Sequence, residues 1–237
     1  MLLLAIDTST SRVGVALGSQ LGVLGSMELG GAASDGRPQH AEQLAPAIDH
    51  LTRVCALPLR QLSGIAVAIG PGMFTGLRVG VTTAKVMAQA LRIPVIPIPS
   101  LDLVAYPLRH TTGRVVIPAL DARRDELYYA RYRSVPGGIQ RESEYELAKP
   151  RDLIVDIDAA GESVVVAGDG ALRFREQFEL SDLCEVAGPG FAAPSLSALV
   201  ELASGRFERE DFTAAADVVP MYLRRSDAEI AHDRRPA

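Results

Sequence analysis

"AIGPGMFTGLRVG", residues 68–80, joins an apolar run to a helical pattern that continues to Leu91. The run at 65–69 predicts a buried strand, and a glycine-rich turn between a strand and a helix can bind phosphate. The turn is not a Walker A loop, because no Lys-Ser/Thr pair follows its last glycine, and its glycine spacing does not fit GxGxxG. Two interpretations therefore stay open, an anion site at Gly70 and Gly72 or a tight corner.

The helix that follows has a face of small residues. Gly76, Gly80, Ala84 and Ala88 recur every four residues, and such a row lets another backbone approach closely. Glycine inside a helix costs about 0.5–1 kcal/mol relative to alanine. We therefore expect close packing along this face, which is compatible with an anion site at the first turn.

Composition limits the function classes. The chain has 237 residues, 48% of them hydrophobic, which is enough for a buried core. Its formal net charge of −5 argues against a basic surface for nucleic acid, so any RNA would be contacted mainly through a partner. The N-terminal run lacks the basic residues of a signal peptide, and no apolar stretch is long enough for a membrane span. These features predict a soluble, cytoplasmic protein.

Hydrophobic periodicity predicts the same order of elements twice. The first cycle has strands at 2–6, 13–17, 23–29, 62–69 and 94–99, and helices at 40–55 and 74–91. A short helix at 100–106 leads to the second cycle, with strands at 114–120, 126–133, 144–147 and 163–167, a helix at 149–157 and a turn at 168–170. A last helix, 195–204, has Ser195 as its N-cap and Gly205 as its C-cap.

The two cycles place the same kind of turn after their first strand. Asp7-Thr8-Ser9 and Asp121-Ala122-Arg123 occupy equivalent positions, which indicates a duplicated α/β unit. We expect a first lobe at 1–100, completed by 206–225, a second lobe at 101–205, and a flexible tail at 226–237.

The Asp7 turn has two interpretations. Asp7, Thr8 and Ser9 could face a metal ion or a phosphate, or they could satisfy their own backbone as an Asx or Ser/Thr turn. The four histidines, none of them paired at i, i+4, do not predict a metal site.

Together these segments resemble the TsaB (YeaZ) family. The matching segments are LLLAIDTST, HAEQLAPAID, IGPGMFTGLRVGVTTAK, IPSLD, ALDARRDELYYARY and PMYLRR, in order from residue 2 to about 225. The resemblance implies a duplicated actin-like (ribonuclease-H-like) α/β fold with two lobes. It also implies a role in making N6-threonylcarbamoyladenosine at position 37 of tRNA. There a TsaB protein is a scaffold that binds and activates the transferase TsaD, with the ATPase TsaE as a further partner and tRNA contacted only through the complex.

The resemblance also implies that this subunit is not catalytic. TsaD-like proteins hold a metal ion with two histidines in the segment that here reads Ser100-Leu101-Asp102-Leu103-Val104, and Ser100 and Val104 stand in their places. Neither side chain is a good metal ligand. Met73 replaces the serine common in GPGSFTG, which weakens the case for nucleotide binding. We expect no metal and no required cofactor, a vestigial phosphate site at Asp7, Thr8, Ser9, Gly70 and Gly72, and leave open ATP or ADP at the interface with TsaD.

Family members pair through helices of the first lobe. The expected interface residues are Leu44, Ile48, Leu51, Thr75, Gly76, Val79 and Thr83, and the same surface would form a homodimer when TsaD is absent. The alternative function is a nucleotide-dependent kinase or ATPase of the same fold. A peptidase is disfavoured, because no nucleophile set or metal pair is present.

Overall fold

The computed structural model describes residues 1–30 and 39–224. The expected tail at 226–237 therefore lies outside the described residues. The strands are β1 Leu3–Asp7, β2 Val13–Ser19, β3 Gly22–Leu29, β4 Gly64–Ala68, β5 Val95–Ile98, β6 Val115–Asp121, β7 Leu127–Tyr129, β8 Tyr132–Val135, β9 Gly138–Arg141, β10 Glu146–Ala148, β11 Val164–Ala167 and β12 Cys184–Val186. The helices are α1 His40–Val54, α2 Phe74–Leu91, α3 Ser100–Ala105, α4 Pro150–Ala160, α5 Asp169–Arg173, α6 Arg175–Phe178 and α7 Leu196–Glu208.

The two sheets repeat one strand order. The first is β3-β2-β1-β4-β5, and the main path of the second is β10-β7-β6-β11-β12. In each sheet the central strand, β1 or β6, has an antiparallel neighbour on one side and a parallel neighbour on the other. This repetition confirms the duplicated two-lobe, actin-like α/β fold.

The first sheet is covered on both faces. Successive side chains of β1 point to opposite faces, so that Leu4 and Ile6 pack with α1 and α2 while Leu3 and Ala5 pack with α7. Burial on both faces explains why β1 and β4 read as continuous apolar runs.

The structure corrects the predicted lobe boundary. Helix α7, assigned from sequence to the second lobe, packs on the first sheet through a row of buried side chains, Leu196, Leu199, Val200 and Ala203. The segment after it stays on the same lobe, because Thr213 pairs with Val95 and the Met221 amide donates to the Ile69 carbonyl at 2.6 Å. The return to the first lobe therefore begins at residue 196, not 206.

Three predicted elements are also wrong in detail. The strand expected at 126–133 is broken after Tyr129, and its two parts, β7 and β8, both pair with β6 but differ in their second neighbour, which is β10 for β7 and β9 for β8. The turn expected at 168–170 is the start of α5. Ser195 caps α7 as predicted, accepting a hydrogen bond from the Ala198 amide, but the helix runs past Gly205 to Glu208. Strands β9 and β12 and helix α6 were not predicted.

Candidate functional site: the cleft between the lobes

A small cleft lies where the ends of the two central strands meet. Its volume is about 110 Å³, and it is open to solvent on one side. The first lobe contributes the turn after β1 and the turn before α2, and the second lobe contributes the turn after β6 and the start of α5. The lining residues are Ser9, Thr10, Ser11, Gly72, Met73, Leu120, Asp121, Arg123 and Asp169.

Asp7 ends β1 beneath this cleft and is satisfied by its own turn. Its Oδ1 atom accepts hydrogen bonds from the Ser9 amide at 3.0 Å and the Ser9 hydroxyl at 2.7 Å. Burial raises the pKa of Asp7 from 3.8 to about 6, although the Ser9 bonds act in the opposite direction. The geometry is that of an Asx turn, which was one of the two interpretations of this segment.

The small face of α2 packs against this same turn. A side chain on Gly76 would overlap the Thr8 carbonyl oxygen, and one on Gly80 would overlap the Thr8 hydroxyl. The Thr8 hydroxyl donates to the Gly76 carbonyl at 2.7 Å, and the Met73 amide donates to the Ser9 carbonyl at 2.7 Å. The close packing expected from the spacing is therefore within the chain, between α2 and the Asp7 turn.

The expected phosphate residues are brought together only in part. Ser9 and Gly72 line the cleft, whereas Asp7 and Thr8 are buried below it. Gly70 has a left-handed φ of 107° and lies against the Met221 carbonyl, away from the cleft lining. Gly70 is therefore a corner residue.

The second lobe supplies charged groups to the cleft. The Asp169 carboxylate accepts a hydrogen bond from the Asp121 amide at 2.9 Å, and burial raises its pKa. Asp121 in turn accepts from Arg173 at 2.8 Å and lies 3.7 Å from Arg123. The cleft therefore contains both acidic and basic side chains.

Asp169 was missed by sequence reasoning, but a signal for it exists. Gly168-Asp169-Gly170 follows β11 as Gly70-Pro71-Gly72 follows β4, and Gly168 and Gly70 share left-handed φ values of 117° and 107°. Side chains on Gly168 or Gly170 would overlap the end of β6, as side chains on Gly72 or Gly76 would overlap the turn after β1. Comparing the two halves turn by turn would have found this residue.

Ser100 and Val104, which stand in place of the metal-binding histidines, make contacts within the fold. The Ser100 hydroxyl accepts a hydrogen bond from the Gly70 amide at 3.1 Å, and the Ser100 amide donates to the Gly70 carbonyl at 2.7 Å. Val104 is buried with Leu101 and Tyr132 in the core of the second lobe. Within residues 1–30 and 39–224, no group of three or more His, Cys, Asp or Glu side chains is placed to hold a metal ion.

Four of the expected interface residues are buried inside the chain. Leu44, Ile48 and Leu51 face the first sheet, and Gly76 lies against the Thr8 carbonyl. The predicted interface is wrong at these residues, because the apolar face of α1 packs against the core of the chain itself. Thr75 is exposed, and Val79 and Thr83 are partly exposed, so these three remain available to a partner. None of the helices described could cross a membrane, since each is too short or too polar.

Comparison with known proteins identifies the family. The family model described as "TsaD: tRNA N6-adenosine threonylcarbamoyltransferase" matches residues 34–232. The chain is 32% identical to the tRNA threonylcarbamoyladenosine biosynthesis protein TsaB of Bacillus subtilis, over 97% of this chain and 96% of that protein. It is 30% identical to TsaB of Haemophilus influenzae, covering 94% and 93%. The solved structure of YeaZ from Pseudomonas aeruginosa superposes with a TM-score of 0.77 at 28% identity, covering 94% of this chain and 99% of that one. The chain belongs to the TsaB (YeaZ) family.

Proposed function

We propose that the chain is a non-catalytic scaffold subunit in the synthesis of threonylcarbamoyladenosine in tRNA. It would bind and activate a TsaD-type transferase, with TsaE as a further partner. The names of its relatives support the pathway, since the curated TsaB proteins are named as threonylcarbamoyladenosine biosynthesis proteins. A net charge of −5 favours contact with tRNA through the complex.

The observation that carries this proposal is the outer surface of α1 and α2. These helices pack side by side over the first sheet, and each exposes a valine that the chain's own core leaves uncovered. Val54 on α1 is 70% exposed and Val86 on α2 is 59% exposed. Val86 follows Val79 and Thr83 on one side of α2, at the spacing of a helix face. Exposed apolar side chains that form a contiguous patch mark protein interaction sites.

Two features support a non-catalytic role. Ser100 and Val104, which replace the metal-binding histidines of the transferase, are committed to a turn and to the core. The cleft holds about 110 Å³, whereas small-molecule sites hold roughly 300–1,000 Å³. Arg123 reaches Met73 across it, at 3.9 Å from the sulfur. These features weigh against the kinase or ATPase alternative. A nucleotide would instead bind at the interface with TsaD, and this subunit would need no cofactor.

The interface is tested by a matched pair of substitutions. Val86 and Val155 are both helical valines with 59% exposure, on the first and second lobes respectively. We expect Val86→Asp to weaken co-purification with TsaD at least about tenfold, since a buried unpaired charge costs more than 1.4 kcal/mol, while Val155→Asp binds normally. Equal binding of the two variants would show that this face of α2 is not the contact. Leu51→Asp is not a usable test, because Leu51 is in the core.

The role itself is tested by reconstitution. Purified TsaD, TsaE, tRNA and a source of the threonylcarbamoyl group are combined with and without this chain, and the modified adenosine is measured. We expect product only when the chain is present, and loss of product with Val86→Asp. Equal product without the chain would refute the scaffold role, and ATP turnover by the chain alone would favour the alternative.

A further inference from the structure

A second cavity, of about 370 Å³, lies apart from the cleft. It is bounded by α3, α7 and the β8–β9 hairpin. That hairpin, which has no counterpart in the first sheet, belongs to the second lobe, whereas α7 packs on the first lobe, so this cavity is lined by both lobes. The lining residues are Asp102, Tyr106, Tyr132, Gly137, Gly138, Ile139, Arg141, Glu201, Leu202, Gly205 and Arg209.

One wall of the cavity holds a fixed carboxylate. Asp102 accepts hydrogen bonds at the same oxygen, Oδ1, from the Tyr132 hydroxyl at 2.6 Å and the Tyr145 hydroxyl at 2.8 Å. Burial, followed by the negative charge of Asp102, raises the pKa of Tyr132 and of Tyr145 above the ordinary value for tyrosine. Both hydroxyls therefore stay protonated and fix the Asp102 side chain in one orientation.

The rest of the cavity lining includes one more acidic side chain and two basic side chains. Glu201 accepts a hydrogen bond from the Tyr106 hydroxyl at 2.7 Å. Arg141 lies 4.1 Å from the Tyr145 ring and donates to the Ser143 carbonyl. The Arg209 side chain is exposed and has no hydrogen bond or ion pair with any residue in the described part of the chain. The formal charges of the lining therefore sum to zero, with one guanidinium free to bind an anion.

We propose that this cavity binds a free α-amino acid as its zwitterion. The ammonium group would bind at Asp102, and the carboxylate would bind Arg209, because a guanidinium recognises a carboxylate through paired hydrogen bonds. Ile139 and Leu202 offer apolar surface for an apolar side chain. The volume exceeds the need of one amino acid and falls in the range of small-molecule sites. This proposal does not depend on the scaffold role.

The test measures which groups of the ligand are needed. Calorimetric titrations of the full chain use L-leucine and L-phenylalanine. Parallel titrations use analogues that lack the ammonium group (4-methylpentanoate and 3-phenylpropanoate) or the carboxylate (3-methylbutylamine and 2-phenylethylamine). We expect saturable one-site binding of at least one amino acid, with both of its analogues at least about tenfold weaker.

Two substitutions assign the binding to the cavity. Arg209→Gln removes the free guanidinium at an exposed position, and Arg60→Gln is the matched control at an exposed position on the first lobe. We expect Arg209→Gln to weaken binding at least about tenfold and Arg60→Gln to leave it unchanged. The proposal is overturned if neither amino acid binds at concentrations up to about 10 mM, if an analogue binds within tenfold of its parent, or if Arg209→Gln binds as the unmodified chain does.

Discussion

At the scale of single residues, the contact between α2 and the Asp7 turn depends on two glycines, which have no side chain. Gly76 and Gly80 let the helix lie against Thr8 closely enough for a hydrogen bond to the Gly76 carbonyl at 2.7 Å. The cost of two glycines in a helix is offset by this contact. Of the two glycines considered for an anion site, Gly72 lines the cleft and Gly70 is a corner residue.

Gly76→Ala tests this contact. The new methyl group would overlap a backbone oxygen that cannot move without the turn, so we expect a loss of roughly 1–3 kcal/mol in the free energy of unfolding. Gly205→Ala is the control, since its methyl group would have its nearest neighbour at 3.6 Å, the end of the flexible Arg209 side chain. That change should be neutral or stabilise α7 by up to about 1 kcal/mol. Urea denaturation of both variants measures the difference, and similar values would contradict the packing argument.

Asp7 makes the stability of the chain depend on pH. Its pKa is about 6 in the folded protein and 3.8 ordinarily, so the folded state binds the extra proton between these values. The free energy of unfolding therefore falls as the pH rises through this window. Asp7→Asn keeps an oxygen that can accept from Ser9 and removes the buried charge. We expect the variant to gain roughly 1–3 kcal/mol over the unmodified chain at pH 7.5.

The comparison at a second pH makes this prediction specific. At pH 4 the gain of Asp7→Asn should be much smaller, because Asp7 is then protonated in the folded chain. Asp169, whose pKa is also raised, is present in both proteins, and its charge contributes less to the raised pKa of Asp7 than burial does. An equal gain in the free energy of unfolding at the two pH values would mean that burial of the Asp7 charge is not the cause of the gain.

At the scale of elements, one lysine fastens the returning segment to α2. Lys85 donates to the Ala216 carbonyl at 3.0 Å and to the Val218 carbonyl at 2.8 Å. Both acceptors lie in the segment that follows α7 on the first lobe. The segment begins at Thr213, which pairs with Val95. Lys85 then holds it to α2, because one charged donor bonds to two of its carbonyls.

Lys85→Met should loosen that segment without disturbing the core. We expect the amides of Thr213 and Met221, which donate to Val95 and Ile69, to exchange with solvent at least about tenfold faster, since each lost charged hydrogen bond is worth roughly 1.5–3 kcal/mol. Lys149→Met, at an exposed lysine beside α4, is the matched control. Unchanged exchange at Thr213 and Met221 would show that other contacts hold the segment.

Most elements could be predicted from sequence because their periodicity is local. The bounds of α2 matched as predicted, and those of α1 differed by one residue. The break between β7 and β8 could not be predicted, because both parts pair with β6 and only the outer neighbour changes, from β10 to β9. The end of α7 could not be predicted either, because tertiary contacts extend the helix past Gly205.

The candidate site was predictable only in its first half. The Asp7 turn and the residues around Gly72 stand out in sequence, whereas Asp169 needs the comparison of the two lobes. The side chains of α1 illustrate a different limit. Periodicity shows that Leu44, Ile48 and Leu51 share a face, but it does not say whether that face meets the chain's own sheet or a partner. The structure assigns them to the sheet.

At the scale of the whole molecule, the end of the described chain crosses from one lobe to the other. Tyr222 packs against Phe74 of α2 with ring centroids 4.8 Å apart. Two residues later, Arg224 donates to the Ala122 carbonyl at 2.9 Å and forms an ion pair with Glu126, both in the turn after β6. The Arg224 and Glu126 side chains are 17% and 28% exposed, so the pair is shielded more than a surface pair is.

A double-mutant cycle measures this link. Arg224→Ala, Glu126→Ala and the double variant should give a coupling free energy of about 1–3 kcal/mol, because either single change leaves a partly buried charge unpaired. The pair Arg175 and Glu179, exposed by 38% and 50%, provides the comparison and should couple by less than about 0.5 kcal/mol. Coupling of the same size in both cycles would argue that Arg224 does not join the lobes.

The return of α7 to the first lobe also bears on synthesis. During translation the strands of the first sheet emerge from the ribosome early, but the helix that covers one of its faces comes about a hundred residues later, at Leu196–Glu208. Until then Leu3, Ala66 and Ile96, which pack with α7 in the finished protein, have no cover. The strands of the second lobe, between Val115 and Val186, are contiguous in the chain. The lobe that is made first is therefore the one that is completed last, and its uncovered face is the surface that chaperones would meet on the nascent chain.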